Sequence, residues 1–144
     1  MNTIKKYELR KNDTGFARVT ISSAKPAADF IRSFYSDDIG IFESSFILLL
    51  DQSNTTIGYA KISQGGVAGT VVDPIIVAKY AVDSLAKGVI LAHNHPSGNL
   101  KPSEADIRLT KKIRDGLALF DISVLDHIIL TEESWTSLAD EGLM

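Results

Sequence analysis

A short apolar run, Gly88-Val89-Ile90-Leu91-Ala92, leads directly into two histidines, and this junction constrains the fold more than any other part of the chain. The run predicts a buried strand. Side chains alternate between the two faces of a strand, so His93 and His95 are expected to point in the same direction. Residues 96–99 predict a loop, and Ser103 predicts the N-cap of a following helix. The sequence therefore predicts a strand, a loop and a helix around two adjacent imidazoles.

Asp106 adds a carboxylate to this pair, because it follows Ser103 by three residues and lies on the first turn of the predicted helix. Two imidazoles, one carboxylate and a position left to water form the ligand set of a catalytic zinc site. A structural zinc site more often uses thiolates, and the chain has no cysteine. Two simpler interpretations remain open. The histidines can be a solvated surface pair, and Ser-x-x-Asp is also a common capping signature.

The order His93-x-His95, seven residues, Ser103, two residues and Asp106 resembles the signature of the JAB/MPN (JAMM) metalloprotease superfamily. The segments HNHPSG, which begins at His93, and DHII, which begins at Asp126, resemble its RadC-like branch in particular. The similarity extends from about Ala24 to the C-terminus. It implies a single α/β domain of JAB/MPN type (cytidine-deaminase-like), with a mixed β-sheet flanked by helices.

The resemblance implies that His93, His95 and Asp106 hold one zinc ion per chain. Zinc in such a site lowers the pKa of its water to about 7 and polarises a substrate carbonyl. The resemblance also makes Glu43 the general base, and it gives the Ser103 hydroxyl a role in holding the water or the developing oxyanion. The expected function is that of a zinc metallopeptidase or isopeptidase acting on a peptide or protein.

Two other residues near the predicted site are given supporting roles. Glu104 is the rival of Glu43 as base, but it lies two residues before Asp106, and such positions do not share a helix face. Glu104 is therefore expected to serve the helix N-terminus. From the residues alone, Glu43 could equally be a solvent-facing acid at a strand end. His127, the third histidine, is expected to support the site through hydrogen bonds rather than to bind the metal.

The composition excludes some functions. The net charge of −3 gives no general attraction to nucleic acid or to an anionic membrane. No apolar run is long enough to span a bilayer, and the N-terminus lacks the apolar core of a signal peptide. The absence of cysteine is consistent with a cytoplasmic enzyme and excludes a zinc nucleoside deaminase, which needs cysteine ligands.

Two other functions remain open at this point. A metal-dependent nuclease, in line with the DNA-repair label of the RadC-like branch, would use the same ligands. Its phosphate contacts would be Lys101, Lys111, Lys112 and Arg114. A non-catalytic interaction module would keep the fold alone, although the intact ligand set argues against it. Pro74-Ile75 replaces the Pro-Arg of RadC-like proteins, and no helix-hairpin-helix-type segment is recognised, which weakens a transfer of DNA binding.

The remaining pattern predicts one domain over residues 1–144, with an N-terminal β-hairpin over residues 1–24 and a core over residues 25–144. Gly65, Gly66 and Gly69 predict a flexible connection, and the lack of side chains also leaves room for its backbone to approach the site. The expected core elements are a helix from residue 25 to about 37–40, strands 42–51 and 56–63, helices 73–88 and 103–120, a strand 122–130 and a helical tail 132–143.

Overall fold

In the part of the chain that the structure describes, a five-stranded sheet carries one α-helix on one face and two α-helices on the other. The computed structural model describes residues 1–66 and 71–144. The elements in chain order are α1 (Ala24–Arg32), β1 (Ser44–Leu50), β2 (Thr56–Gln64), α2 (Pro74–Asp83), β3 (Gly88–Asn94), α3 (Glu104–Ala118), β4 (Ser123–Leu130) and β5 (Trp135–Ser137). The predicted α/β class, with a mixed sheet flanked by helices, is confirmed. None of the helices in these ranges has the length and apolar character needed to cross a bilayer.

The order of the strands, β2-β1-β3-β4-β5, places β3 at the centre of the sheet. β1 is antiparallel to both β2 and β3, and β4 is antiparallel to β5. β3 and β4 are parallel, and α3 supplies the crossover that a parallel pair requires. In this register His93 lies between Ser45 of β1 and Ile129 of β4. The first histidine of the predicted site therefore lies on the central strand.

Two apolar clusters hold the layers together, and alternate residues of β3 belong to different clusters. Ile90 and Ala92 pack in the cluster that contains α1, whereas Val89 and Leu91 pack in the cluster that contains α2 and α3. β1 and β3 are buried along their whole lengths, so the prediction of a strand covered on both faces over residues 46–50 is confirmed. Beyond Ala92 the chain continues the same alternation with polar side chains.

The N-terminal β-hairpin predicted for residues 1–24 is wrong. Neither expected strand forms, and Thr20 makes an isolated bridge to Thr55 in the turn between β1 and β2. Ile4 and Tyr7 are almost fully exposed, at 98% and 91%. The first predicted strand therefore buries little apolar surface, and a two-stranded hairpin is marginal in water, so the alternating pattern does not produce strands here.

The helical tail predicted for residues 132–143 is also wrong. Residues 135–137 form β5, and turns follow. The buried carboxylate of Asp126 on β4 accepts hydrogen bonds from the Ser137 hydroxyl at 2.5 Å and from the Ala139 N–H at 3.0 Å. These bonds satisfy a buried polar group that a helical tail would leave without these partners.

The first helix ends earlier than predicted. α1 ends at Arg32, and Asp37–Gly40 form a separate 3-10 turn. The Ser33 hydroxyl donates to the Phe30 carbonyl at 2.5 Å, at the end of α1. Such a side-chain bond competes with the main-chain bond that would continue the helix.

Candidate metal centre

His93 and His95 lie at the carboxyl end of β3, and their Nε2 atoms are 2.9 Å apart. His93 is buried within the strand. His95 follows the last strand residue, but its main-chain N–H still donates to the Leu130 carbonyl of β4 at 2.8 Å. Strand alternation therefore continues through His95, and the two imidazoles meet on one side of the sheet, as the sequence predicts.

The N-terminal cap of α3 directs the Asp106 carboxylate toward these imidazoles. The Ser103 hydroxyl accepts a hydrogen bond from the Asp106 N–H at 3.0 Å, and Asp106 Oδ2 accepts one from the Ser103 N–H at 2.9 Å. This capping box confirms that Ser103 is the N-cap. The same Oδ2 lies 3.5 Å from His93 Nε2 and 3.7 Å from His95 Nε2. The cap thus brings the third predicted ligand to the first two.

These three donor atoms have the spacing of a zinc site. The sides of the triangle formed by the two Nε2 atoms and Oδ2 measure 2.9, 3.5 and 3.7 Å. Ligand atoms around tetrahedral zinc are about 3.3 Å apart, because zinc–ligand bonds measure about 2.0–2.1 Å. The donor set, two imidazoles and a carboxylate, also matches a catalytic zinc site that keeps one position for water. The residues therefore fit the metal that the sequence predicts.

The loop after β3 sets the protonation of His95. His95 Nδ1 lies 2.6 Å from the Asn99 carbonyl, and a carbonyl only accepts, so Nδ1 carries the hydrogen. In the neutral ring, Nε2 then carries a free lone pair that faces the other donors. Gly98, at φ +85°, allows the tight loop that returns the Asn99 carbonyl to the ring. The loop thus favours the tautomer in which the His95 Nε2 lone pair is available to a metal ion.

The electrostatics of the site favour a cation between these groups. Burial alone would raise the pKa of Asp106, but the attraction of the nearby His93 and His95 rings in their protonated forms, together with the hydrogen bond from the Ser103 N–H, outweighs burial and holds the pKa well below its usual range. The Asp106 carboxylate, 3.7 Å from Nε2, favours the protonated ring and raises the pKa of His95, although burial opposes that shift. At neutral pH the site therefore presents an ionised carboxylate to a bound cation.

Glu43 lies beside the three donor atoms, immediately before β1. Its Oε1 is 4.0 Å from His95 Nε2, and its donor atom lies within 4.8 Å of those of His93 and His95. This set could itself hold a metal, but Asp106 Oδ2 is closer to His95 and completes the tighter triangle. The predicted base therefore lies next to the predicted ligands.

The glycine connection after β2 reaches the main chain of Glu43. The Gly65 N–H donates to the Glu43 carbonyl at 2.8 Å, and the Glu43 N–H donates to the Gly66 carbonyl at 3.5 Å. The predicted approach of backbone to the site is thus present at these two glycines. Gly69 lies outside the described residues.

The other charged residues named from the sequence lie around the helix. Glu104 is the exposed first residue of α3. Lys101, Lys111 and Lys112 are exposed, and the Arg114 guanidinium pairs with Asp115 at 3.3 Å. Together these residues form a solvent-exposed surface that carries both positive and negative charges.

His127 on β4 contacts His93 from behind the site. His127 Nε2 lies 2.7 Å from His93 Nδ1, and His127 Nδ1 lies 2.6 Å from the Thr110 hydroxyl of α3. Burial lowers the pKa of His127 well below its usual value, so the ring is neutral. The expected supporting position of His127 is therefore observed.

Two residues near the site were not found from the sequence. One of them, Thr110, could have been found, because it follows Asp106 by four residues and this spacing puts both residues on one face of α3. Asn94 lies between the two histidines and points to the opposite face, where it bonds to the segment that carries Glu43. Its partners are distant in sequence, and no local pattern indicates them.

Comparison with known proteins gives the family. The sequence profile of the RadC-like JAB domain matches residues 21–143. A UPF0758 protein of Flavobacterium johnsoniae is 46% identical over 101 residues, which make up 70% of this chain and 44% of the relative. A UPF0758 protein of Cellvibrio japonicus is 45% identical over 96 residues, or 67% of this chain and 43% of the relative. A UPF0758 protein of Vibrio cholerae is 40% identical over 116 residues, or 79% of this chain and 73% of the relative.

This chain spans less than half the length of the first two of these relatives. The matched region nevertheless contains all three predicted ligands, Glu43 and Ser103. The profile covers most of the chain, and the chain therefore belongs to the RadC-like JAB domain family.

Proposed function

We propose that this chain is a zinc-dependent hydrolase that cleaves an amide bond of a peptide or an isopeptide. The observation that carries the proposal is the triangle of His93, His95 and Asp106 donor atoms, with Glu43 Oε1 4.0 Å from His95 Nε2. A bound zinc ion supplies an acidified water and a Lewis acid for a carbonyl oxygen. Membership of the JAB domain family supports metal-dependent hydrolysis.

In this proposal Glu43 moves the proton. Its carboxylate accepts a proton from the attacking water and returns it to the leaving amine, which an amide needs in order to depart. Its side chain is only 15% exposed, so bulk water competes little for that carboxylate. The hydrogen bonds from Gly65 and to Gly66 hold the main chain on which this side chain is carried.

In this proposal Ser103 stabilises the developing negative charge. Its oxygen accepts the Asp106 N–H, so the hydroxyl keeps its own hydrogen to donate. The hydroxyl is also at the N-terminus of α3, where the helix dipole favours an anion. One such donor to a developing oxyanion is typically worth about 3 kcal/mol in the transition state.

The proposal is tested by metal content and by cleavage in labelled water. Protein purified without a histidine tag should contain zinc, whereas a His93→Ala/His95→Ala variant should contain little. A mixed peptide library and a set of lysine-linked isopeptides, incubated in H₂¹⁸O, should then yield zinc-dependent products with ¹⁸O in the new carboxyl group. Equal zinc in both proteins, or no zinc-dependent cleavage of either substrate set, would contradict the proposal.

A further inference from the structure

Behind His93, two buried side chains connect the metal centre to the main chain of α3. We propose that Thr110 and His127 are positioning residues, which form a hydrogen-bond relay that keeps His93 Nε2 unprotonated and aimed at the metal. The inference rests on the metal site of the proposed function, but it involves no substrate. It concerns which nitrogen of His93 carries the hydrogen, and what fixes that choice.

The direction of each hydrogen bond follows from the end of the relay. The Thr110 hydroxyl donates to the Asp106 carbonyl at 2.7 Å, because that carbonyl only accepts. Its single hydrogen is then used, so in the 2.6 Å contact with His127 Nδ1 the hydroxyl accepts and Nδ1 donates. His127 is only 5% exposed, and its two nitrogens contact a hydroxyl and another imidazole, neither of which is an anion that would stabilise a charged ring. The ring therefore carries one N–H, and His127 Nε2 must accept from His93 Nδ1, 2.7 Å away. His93 Nε2 is left with its lone pair.

The relay connects two predicted ligands, Asp106 and His93, that lie on different secondary-structure elements. It starts at the main chain of Asp106 on α3, passes through Thr110 and His127 of β4, and ends on His93 of β3. Thr110 is 0% exposed, and both histidines are 5% exposed, so water does not compete for these bonds. The orientation of His93 is thus coupled to the position of the helix turn that carries Asp106.

His127 serves this relay rather than the metal. Its Nε2 accepts a hydrogen bond from His93 Nδ1, and its Nδ1 donates one to the Thr110 hydroxyl. His95 has the same tautomer as His93, with the hydrogen on Nδ1, because its Nδ1 donates directly to the Asn99 carbonyl. Each imidazole of the predicted zinc site is therefore held by its Nδ1, one through a loop and one through two buried side chains.

The matched pair Thr110→Val and Thr110→Ser tests the relay. Valine keeps the shape of threonine and removes the hydroxyl, whereas serine keeps the hydroxyl. Zinc affinity, measured by competition with a chromogenic chelator, should fall about 10- to 100-fold in Thr110→Val and His127→Leu. It should stay close to the wild-type value in Thr110→Ser. The double variant should lose no more than either single variant, because one relay is removed in each case.

Thr56→Val is the control for a purely structural loss. Thr56 is also buried, and its hydroxyl accepts the Val19 N–H at 2.9 Å, but it lies on β2 outside the relay. The control should keep wild-type zinc affinity even where it lowers the stability. Loss of affinity in Thr56→Val equal to that in Thr110→Val would overturn the relay, as would wild-type affinity in Thr110→Val.

The tautomer of His93 gives a second readout that needs neither metal nor activity. Long-range ¹H–¹⁵N correlations of the metal-free protein at about pH 8, above the ordinary pKa of histidine, distinguish the two ring nitrogens. The wild type and Thr110→Ser should carry the hydrogen on Nδ1, and Thr110→Val should shift it toward Nε2. An unchanged tautomer in Thr110→Val would overturn the relay. A wild type without zinc affinity would contradict the proposed function instead, and this measurement would still decide the relay.

Discussion

The side-chain oxygen of Asn94 accepts a 2.7 Å hydrogen bond from the main-chain N–H of Ser44. The amide nitrogen of the same side chain donates to the carbonyls of Ile39 at 2.6 Å and Phe42 at 2.8 Å. Asn94 is fully buried, and its bonds reach the chain on both sides of Glu43. One residue between the two histidines therefore ties their strand to the segment that carries the proposed base.

Replacing Asn94 should weaken both the fold and the site. Asn94→Ala leaves three main-chain groups, one buried and two partly buried, without these bonds, and we expect a loss of about 3 kcal/mol in the free energy of unfolding. Asn94→Asp should cost more, because a second oxygen would face two carbonyls. Urea unfolding of the metal-free proteins measures both values, with the exposed Asn12→Ala as control. A change of less than about 0.5 kcal/mol in Asn94→Ala would show that the contacts carry little energy.

Glu43→Gln should keep zinc but lose hydrolysis, because glutamine preserves the size of the side chain and cannot accept the proton. Removing a general base typically costs about 10²- to 10⁴-fold in rate. Glu104→Gln is the matched control, since Glu104 is the exposed first residue of α3, and it should have a small effect. Zinc content and peptide cleavage are measured on the same preparations. An active Glu43→Gln with an inactive Glu104→Gln would reverse the assignment of the base.

Asp51, in the turn between β1 and β2, predicts a pH dependence of stability away from the metal site. The hydrogen bond from the Thr55 N–H, the bond from the Ser53 N–H and the ion pair with Arg18 hold the pKa of Asp51 below its usual value. A lowered folded-state pKa stabilises the fold above the unfolded value of about 3.9, and this stabilisation is lost as the pH falls through the folded-state pKa.

The Asp51→Asn variant isolates that effect. Wild type should be the more stable of the two above about pH 5, and the difference should shrink as the pH falls below about 4, where the wild-type carboxyl becomes protonated. Urea unfolding of both proteins over this pH range measures it. A difference that grows toward acid pH would contradict the assignment.

Removing zinc should lower the stability without unfolding the chain. The two apolar clusters on either side of the sheet contain no metal ligand, so the core does not depend on the metal. Zinc at 100 times its Kd would add about 2.7 kcal/mol by mass action. Circular dichroism of the chelator-treated protein should keep its far-ultraviolet spectrum, with a lower Tm than the zinc-loaded protein. A coil spectrum after chelation would instead make the metal part of the fold.

The elements around the site are predictable because their signals are local. The apolar run before His93 and the Ser-x-x-Asp spacing at Ser103 each determine one strand and one helix start, and both were found where the pattern indicated. The hairpin predicted over residues 1–24 and the helical tail predicted over residues 132–143 are wrong because apolar periodicity alone does not show which side chains the fold buries. In the first, the side chains of Ile4 and Tyr7 remain almost fully exposed, and in the second the buried Asp126 carboxylate takes hydrogen bonds from Ser137 and Ala139.

The supporting contacts of the site could not be read from the sequence to the same extent. Asn94 bonds to residues 50 and 55 positions away in the chain, and only the antiparallel pairing of β1 with β3 brings them together. Thr110 is a partial exception, because its spacing from Asp106 shows a shared helix face without showing that His127 is its partner. Local patterns thus identified the donor atoms, whereas the tertiary fold determines what orients them.

The last prediction separates the proposed peptidase from a nuclease. Phosphodiester cleavage often uses two metals about 3.5–4 Å apart, and within residues 1–66 and 71–144 the group of donors that could share an ion is Glu43, His93 and His95, next to Asp106. The net charge of −3 also gives no general attraction to a phosphate backbone. We expect weak DNA binding at physiological salt and no metal-dependent nicking.

Incubation with single- and double-stranded DNA tests this expectation, with protein loaded with zinc or supplemented with Mg²⁺ or Mn²⁺. His95→Ala is the control for contaminating nucleases, because it removes one proposed ligand and leaves Lys101, Lys111 and Lys112 in place. Cleavage by the wild type that disappears in His95→Ala would favour a nuclease over the peptidase, since both reactions would depend on the same imidazole. Cleavage that persists in His95→Ala would come from a contaminant, because a nuclease using this site requires that ligand.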